Sequence, residues 1–406
     1  MIRNLSTKWR VDVGLLGLYI VTIPLPYRYG NIALIPIALY WLGTAKFKDS
    51  WRLTKESLTI QLFILLFLII LISILTSENF DNRFSYIERY LCLVGFPIAF
   101  SSFSLSQREV GHLLQVFVAV CAICAAYSLI STLIVYDLSI TDFYVPEYLS
   151  YFSWVLPETL NLKSNYYSLF VGFCLIIIAE KLLQKPPRRR QILLLLLFCF
   201  LFIFLGLLSS RTAFLAVVLL FILYLSGMIF QNKFPFRSAL IIGGGLLTLI
   251  VAALQFPFLQ SKIIQVLNGG LEGDPRYTLF QCGWKLFFEN FLFGVGICDV
   301  KEIALACYGT FNDTEAIENK YNFHNVFLQV GVSTGIFGLI VFVALLVKLF
   351  LHAIKINRIT HVGFIFLFTL CCLTESLLTR NKGLIFFTTF ASLLFILKPH
   401  EKNPSR

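Results

Sequence analysis

The chain has 406 residues, 58% of them hydrophobic and only 14% charged, with a net charge of +11 and a mean hydropathy of +0.82. A soluble domain is about half apolar and a quarter charged, so the composition excludes water as the main solvent of this fold.

Uncharged runs at 60–76, 110–136, 192–208 and 212–230 approach or exceed the roughly 20 residues that cross a bilayer. They must be helical, because lipid offers the backbone no hydrogen-bonding partner. The first apolar run, 13–26, follows a basic start without a small-residue cleavage pattern and reads as a retained first helix. Runs and interruptions together predict an all-α, polytopic transmembrane bundle of about twelve spans within a single integral membrane domain, 1–406. The spans start near Val13, Asn31, Leu58, Tyr90, Val110, Ser164, Gln191, Thr212, Phe236, Phe323, His361 and Gly383. The connections alternate in charge. One set, including both termini and the basic cluster 185–190, holds 21 of the 33 Lys and Arg, and the opposite set holds 16 of the 22 acids. The positive-inside rule then places both termini in the cytoplasm. The excess charge faces anionic headgroups and gives no argument for nucleic acid.

Two connections on the outer side are long enough to hold structure, 137–163 and 257–322. The first is acidic and aromatic, interrupted by Pro146 and Pro157, and its rings suit interfacial anchoring or stacking on sugar. In the second, apolar Leu279, Phe280, Gly283, Leu286 and Phe287 recur at helical spacing, with Gln281, Lys285 and Glu289 on another face. That pattern predicts an amphipathic helix over 276–291, lying across the tops of the spans and roofing a cavity. Gly294-Val295-Gly296 behind it reads as a turn. Three of the ten cysteines, Cys282, Cys298 and Cys307, fall in this outer connection, where an oxidising compartment permits a disulfide between Cys298 and Cys307.

Ionisable residues near membrane depth are functional candidates. Arg211 interrupts two apolar helices on the side where Arg is disfavoured as an anchor. Arg276 precedes Tyr277 at the start of the amphipathic helix, where unpaired amides favour anions. His324 stands between Asn322 and Asn325 at the entry to the tenth span, and a neutral imidazole there can accept a proton.

Ser-Arg-Thr between two spans, Arg276 opening a helix that closes in Glu289-Asn290-Phe291-Leu292-Phe293-Gly294-Val295-Gly296, and Asn322-Phe323-His324-Asn325 followed by Leu328 and Gly335 together resemble the O-antigen ligase and polymerase family. The resemblance covers about 209–397. It implies a GT-C-like glycosyltransferase architecture in the bacterial inner membrane with a periplasmic active site. It also implies an undecaprenyl-diphosphate-linked glycan as donor, lipid A-core or another glycan as acceptor, and no cofactor. On that pattern Arg211 and Arg276 hold the diphosphate and His324 activates the acceptor hydroxyl. Asn322, Asn325, Tyr277, Arg380 and Glu375 are secondary candidates, and the segment Thr374-Glu375-Ser376 has no assigned role. No Asp-x-Asp occurs, which favours metal-independent chemistry that inverts the anomeric carbon. A polymerase differs from a ligase only in its acceptor, while a transporter of lipid-linked sugars would be expected to show an internal repeat with polar groups near the midplane.

Overall fold

The computed structural model describes residues 11–44, 47–79, 81–103, 105–135, 146–230 and 276–396. Among them every regular element is helical. In chain order these are α1 Val11–Thr22, α2 Tyr27–Thr44, α3 Phe47–Glu56, α4 Leu58–Thr76, α5 Arg83–Tyr90, α6 Cys92–Ser101, α7 Gln107–Val135, α8 Pro146–Glu158, α9 Ser164–Leu183, α10 Arg188–Leu207 and α11 Arg211–Phe230. They continue with α12 Tyr277–Glu289, α13 Val300–Thr310, α14 Thr314–Glu318, α15 Val326–Ile356, α16 Ile359–Cys372, a 3-10 turn Leu377–Thr379 and α17 Asn381–Phe395.

Helices α4, α7, α9, α10 and α15 are long and apolar enough to cross a membrane, and α1, α16, α17 and the first part of α11 are shorter apolar helices. A polytopic helical membrane protein is the architecture observed. The described residues do not give the count of about twelve spans. The segment expected to cross from near Tyr90 forms α6, which follows the short polar helix α5 and ends at Ser101. The ten residues of α6 rise about 15 Å, half of a hydrocarbon core of about 30 Å. The span expected near Phe236 and the first part of the 137–163 connection lie outside the described residues. In the rest of that connection Pro146 opens α8, where its missing N–H costs nothing, and Pro157 falls in its last turn. Phe152 is buried against the bundle while Trp154 is exposed, as an interfacial anchor requires.

Local signals set the helix ends. Ser106 and Glu109 form a capping box before α7: Glu109 N–H donates to Ser106 Oγ at 3.2 Å, and the Glu109 carboxylate accepts from Ser106 N at 2.7 Å. Asn325 caps α15 by accepting from Leu328 N at 3.0 Å, so the tenth span begins at Val326 and leaves Phe323 and His324 in the preceding turn.

Helix α9 lies at the centre. Of its apolar stretch 78% is buried, against 22% in α10, which leaves most of α10 for lipid. Around it Phe117 of α7, Phe173 of α9 and Phe390 of α17 meet edge to face at 4.7 and 4.9 Å, and Phe368 of α16 stacks on Phe387 of α17 at 4.3 Å. Lipid tails are as apolar as these rings, so close packing rather than escape from water holds the bundle.

Helix α15 is broken one-third of the way along by Gly335, at φ 68° and ψ −167°. There the 291–296 segment runs against it. Ile336 N–H donates to Phe291 O at 2.8 Å and Val295 N–H to Val332 O at 2.8 Å. The expected turn at Gly294-Val295-Gly296 is therefore also a docking strip. A Cβ on Gly335 would stand 2.2 Å from Leu292 O, and one on Gly294 would stand 2.6 Å from the backbone of Ser333, so only glycine permits the contact. Ser73 of α4 donates to Ser333 O at 2.7 Å and accepts from Ile297 N at 3.1 Å, which fixes the kink to α4.

Gly335→Ala is expected to lower stability by about 2 kcal/mol or more, since it combines positive φ with a backbone collision. Gly206→Ala, where nothing lies within 4 Å, is the control. Thermal unfolding of the two purified variants in detergent checks this, and equal midpoints would show that the kink does not need glycine.

Candidate active site

The amphipathic periodicity over 276–291 becomes α12, and the predicted face is the buried one. Leu279, Cys282, Gly283, Leu286 and Phe287 pack on the start of α15 and on α13, forming a second apolar cluster with Ala304, Tyr308, Phe323 and Leu328. Trp284, Phe288 and Phe293 remain exposed on the other side. Cys282 faces Cys307 on α13, and these two form the disulfide, with Cα atoms 5.9 Å apart. The expected Cys298 to Cys307 pairing is thereby corrected. Seven residues of α13 separate Val300 from Cys307, about 10 Å of rise, beyond the reach of a disulfide. Cys298 is instead a buried free thiol whose N–H donates to Ser77 Oγ at 3.2 Å. Beside it the Asp299 carboxylate accepts from Glu78 N and Asn79 N, both at 2.7 Å, tying this loop to the end of α4.

Arg276 is the residue immediately before α12, so the docking of that helix sets its position. His324 is held in the turn before α15 with φ 46°, a left-handed conformation that His tolerates better than most residues. Asn322 builds the turn by accepting from His324 N–H at 3.0 Å. Asn325 fastens it to the link after α16: its Nδ2 donates to Leu373 O at 3.0 Å, and its backbone N–H donates to Ser376 Oγ at 3.2 Å. Both asparagines thus shape and place the turn.

The residue that unites these parts is Glu375. One carboxylate oxygen accepts from Arg276 Nη2 at 3.1 Å, and the other meets His324 Nδ1 at 3.2 Å and accepts from Asn165 Nδ2 at 2.6 Å. The Glu375 side chain is 18% exposed, Arg276 39% and His324 25%, so the cluster is half-buried and open on one side. Burial pushes the Glu375 pKa up, but the hydrogen bond and charge of His324, the Arg276 guanidinium and the Asn165 amide outweigh it and hold the carboxyl below its ordinary value. An ionised Glu375 accepts only, so it selects the tautomer with hydrogen on Nδ1 and leaves the Nε2 lone pair for a substrate proton.

The predicted residues do not all meet. Arg211 opens α11, exposed, and touches no member of the cluster. Its neighbour Thr212 shares a 2.7 Å hydrogen bond with Thr374, which brings the start of α11 to the link that carries Glu375. Tyr277, half-buried beside Arg276, makes no hydrogen bond among the described residues. Arg380 precedes α17 and lines a cavity beside the same link. Gly383 lets that link lie close, since a Cβ there would stand 2.2 Å from Leu377 O. Asn165 was not foreseen. A polar residue in the first turn of a helix looks like a cap, and nothing local shows that it reaches a carboxylate 210 positions away.

Residues 192–343, a little over a third of the chain, match the model of the O-Antigen ligase family, in agreement with the resemblance carried by the motifs. The matched stretch holds Arg211, Arg276, Tyr277, Asn322, His324 and Asn325 and ends before Glu375 and Arg380. No curated protein matches the chain.

Two outcomes are expected of the site itself. Peptide mapping after alkylation should recover Cys282 joined to Cys307 and Cys298 alkylated. A group with depressed folded pKa contributes stability that is full above its unfolded value and lost as pH falls through the folded one. The stability advantage of wild type over Glu375→Gln should therefore be constant near neutrality and shrink only below the ordinary carboxyl value of 4.5. Thermal unfolding across pH reads it. An advantage already lost by pH 6 contradicts an ionised Glu375 as the organising group.

Proposed function

We propose that this chain transfers a glycan from an undecaprenyl-diphosphate-linked donor to an acceptor hydroxyl, ligating O-antigen to lipid A-core on the periplasmic face of the bacterial inner membrane. The family match supports glycan transfer of the ligase or polymerase type. The observation that carries the reading further is the single Glu375 carboxylate bridging a potential base, His324, and a cation suited to phosphate, Arg276. A transporter needs no such pairing at the end of a bundle.

Transfer breaks the bond between the anomeric carbon and the donor's phosphate oxygen, and the electron pair leaves with the diphosphate. Arg276 and Arg211 are permanently cationic and suited to phosphate oxygens, so they favour the state in which that charge appears. His324 Nε2 takes the proton of the acceptor hydroxyl as its oxygen attacks the anomeric carbon from the opposite face, inverting it. The imidazolium that forms is stabilised by Glu375 through Nδ1–H, the relation that a carboxylate has to histidine in hydrolytic triads. With arginine supplying the charge at the leaving group, the reaction is proposed to be metal-independent. The orientation, both termini cytoplasmic, rests on the charge asymmetry of the connections. The disulfide near the site agrees with an oxidising side.

Purified protein with lipid-linked glycan and lipid A-core is the assay. His324→Ala should lose about 10²–10⁴-fold in kcat, the usual worth of a general base. Glu375→Gln should lose about 10–100-fold, as outer partners of a working histidine do. Arg276→Ala and Arg211→Ala should each slow transfer, and Arg276→Ala should also lower stability because it removes a partner of the Glu375 carboxylate. Full activity in His324→Ala would remove it as the base. The lipopolysaccharide ladder of a deletion strain separates the two acceptors. Loss of all long chains means ligase, and a single repeat left on the core means polymerase.

A further inference from the structure

A cavity of about 220 Å³ adjoins the His324 turn, bounded by residues 320–323, 376 and 378–380, and it does not include His324, Glu375, Arg276 or Arg211. Four cations line it: Arg89 in the last turn of α5, Lys301 on α13, Lys320 before the His324 turn, and Arg380. No carboxylate lines it, and none of the four makes an ion pair among the described residues. Like charges gathered at one cavity repel one another, and the arrangement calls for an anion.

Two further observations point to a ligand rather than to surface charge. Arg89 is drawn inward, donating from Nη1 to Thr379 O at 2.8 Å with its guanidinium 4.9 Å from the Tyr86 ring, yet its buried Nε has no hydrogen-bond partner among the described residues. Gln329, 8% exposed on the α15 wall of the cavity, has a buried Oε1 without a partner among the described residues. An amide oxygen cannot bind a bare anion, but it accepts from a hydroxyl. Cations beside an unfilled acceptor fit a sugar that carries an anionic substituent. The volume is below the roughly 300–1,000 Å³ of sites for drug-sized ligands, so one substituted ring rather than a chain is the matching object.

We propose that this cavity binds the acceptor through a phosphorylated or carboxylated sugar, placing its nucleophilic hydroxyl at His324 while the donor's diphosphate lies at Arg276 and Arg211. The inference rests on the transfer reading above and adds the acceptor's charge as a requirement. His324 then joins two cationic sites, one for each substrate: the turn before it lines the cavity, and its partner Glu375 holds Arg276, so the two reactants are held close to one base.

The test uses full-length protein carrying Lys301→Glu together with Lys320→Glu, both exposed and outside the packed core, and separately Arg380→Ala. Acceptors are lipid A-core, the same material after phosphatase treatment, and the same after carboxyl reduction. The double variant should raise the acceptor KM about tenfold or more, in keeping with the loss of charge-assisted contacts, and leave the donor KM within about twofold. Whichever treated acceptor lacks the recognised anion should show equal KM with wild type and variant. A raised donor KM with an unchanged acceptor KM would assign the cavity to the diphosphate and overturn the proposal, as would no change in either. Direct binding of the same acceptors to His324→Ala protein separates the two readings. Charge-dependent binding by a wild type that transfers nothing sinks the proposed reaction and upholds the site, whereas efficient transfer indifferent to acceptor charge does the reverse.

Discussion

A buried carboxylate is costly unless hydrogen bonds and opposite charge surround it, and that constraint organises this end of the protein. Glu375 receives the start of α9 through Asn165, the start of α12 through Arg276 and the turn before α15 through His324. Four separate stretches of chain meet at two oxygen atoms. Because removing one donor leaves the charge less compensated, each partner's position depends on the others, and the site behaves as a unit rather than as a set of independent side chains.

The rest of the fold makes that meeting possible. Helix α12 is not among the helices long and apolar enough to cross a membrane, yet it must present Arg276 at a fixed distance from the turn before α15. Its apolar face, its disulfide to α13 and the strip 291–296 against the Gly335 kink all set that distance. The link through Glu375 is placed from the opposite direction, by Asn325 on one flank and by the close approach at Gly383 on the other. A connection built of ordinary loop would not hold a histidine and a guanidinium on one carboxylate.

Features with a local physical signature were legible in the sequence. Apolar length announced the helices, and spacing announced α12 with the right residues inward. His324 was marked by the polar residues bracketing it. Features that depend on distant partners were not. Glu375 sits in a segment whose role only its contacts reveal, and Asn165 offers no pattern at all. The disulfide partner of Cys307 was misread because nearness in sequence was taken for nearness in space, although a helix separates its ends faster than it separates its faces. The change from charged α5 to apolar α6 at Leu91 was legible from composition, but nothing local shows that the apolar helix ends at Ser101 after ten residues.

The distribution of charge explains why a carboxylate belongs beside a base in a site otherwise dominated by cations. Arg276 and Arg211, with the four cations of the neighbouring cavity, would oppose any positive charge developing on His324. Glu375 reverses that local field at the one nitrogen where it matters, because its oxygen contacts Nδ1 directly while none of the other cations contacts the ring among the described residues. As the acceptor's proton arrives on the imidazole, negative charge leaves with the donor's phosphate towards the arginines. The two charges form together and each meets a counterpart already in place, so little of the surrounding structure has to reorganise during the step. Arg276 touches the same carboxylate as His324, which joins the group that receives the proton to the group that receives the leaving charge.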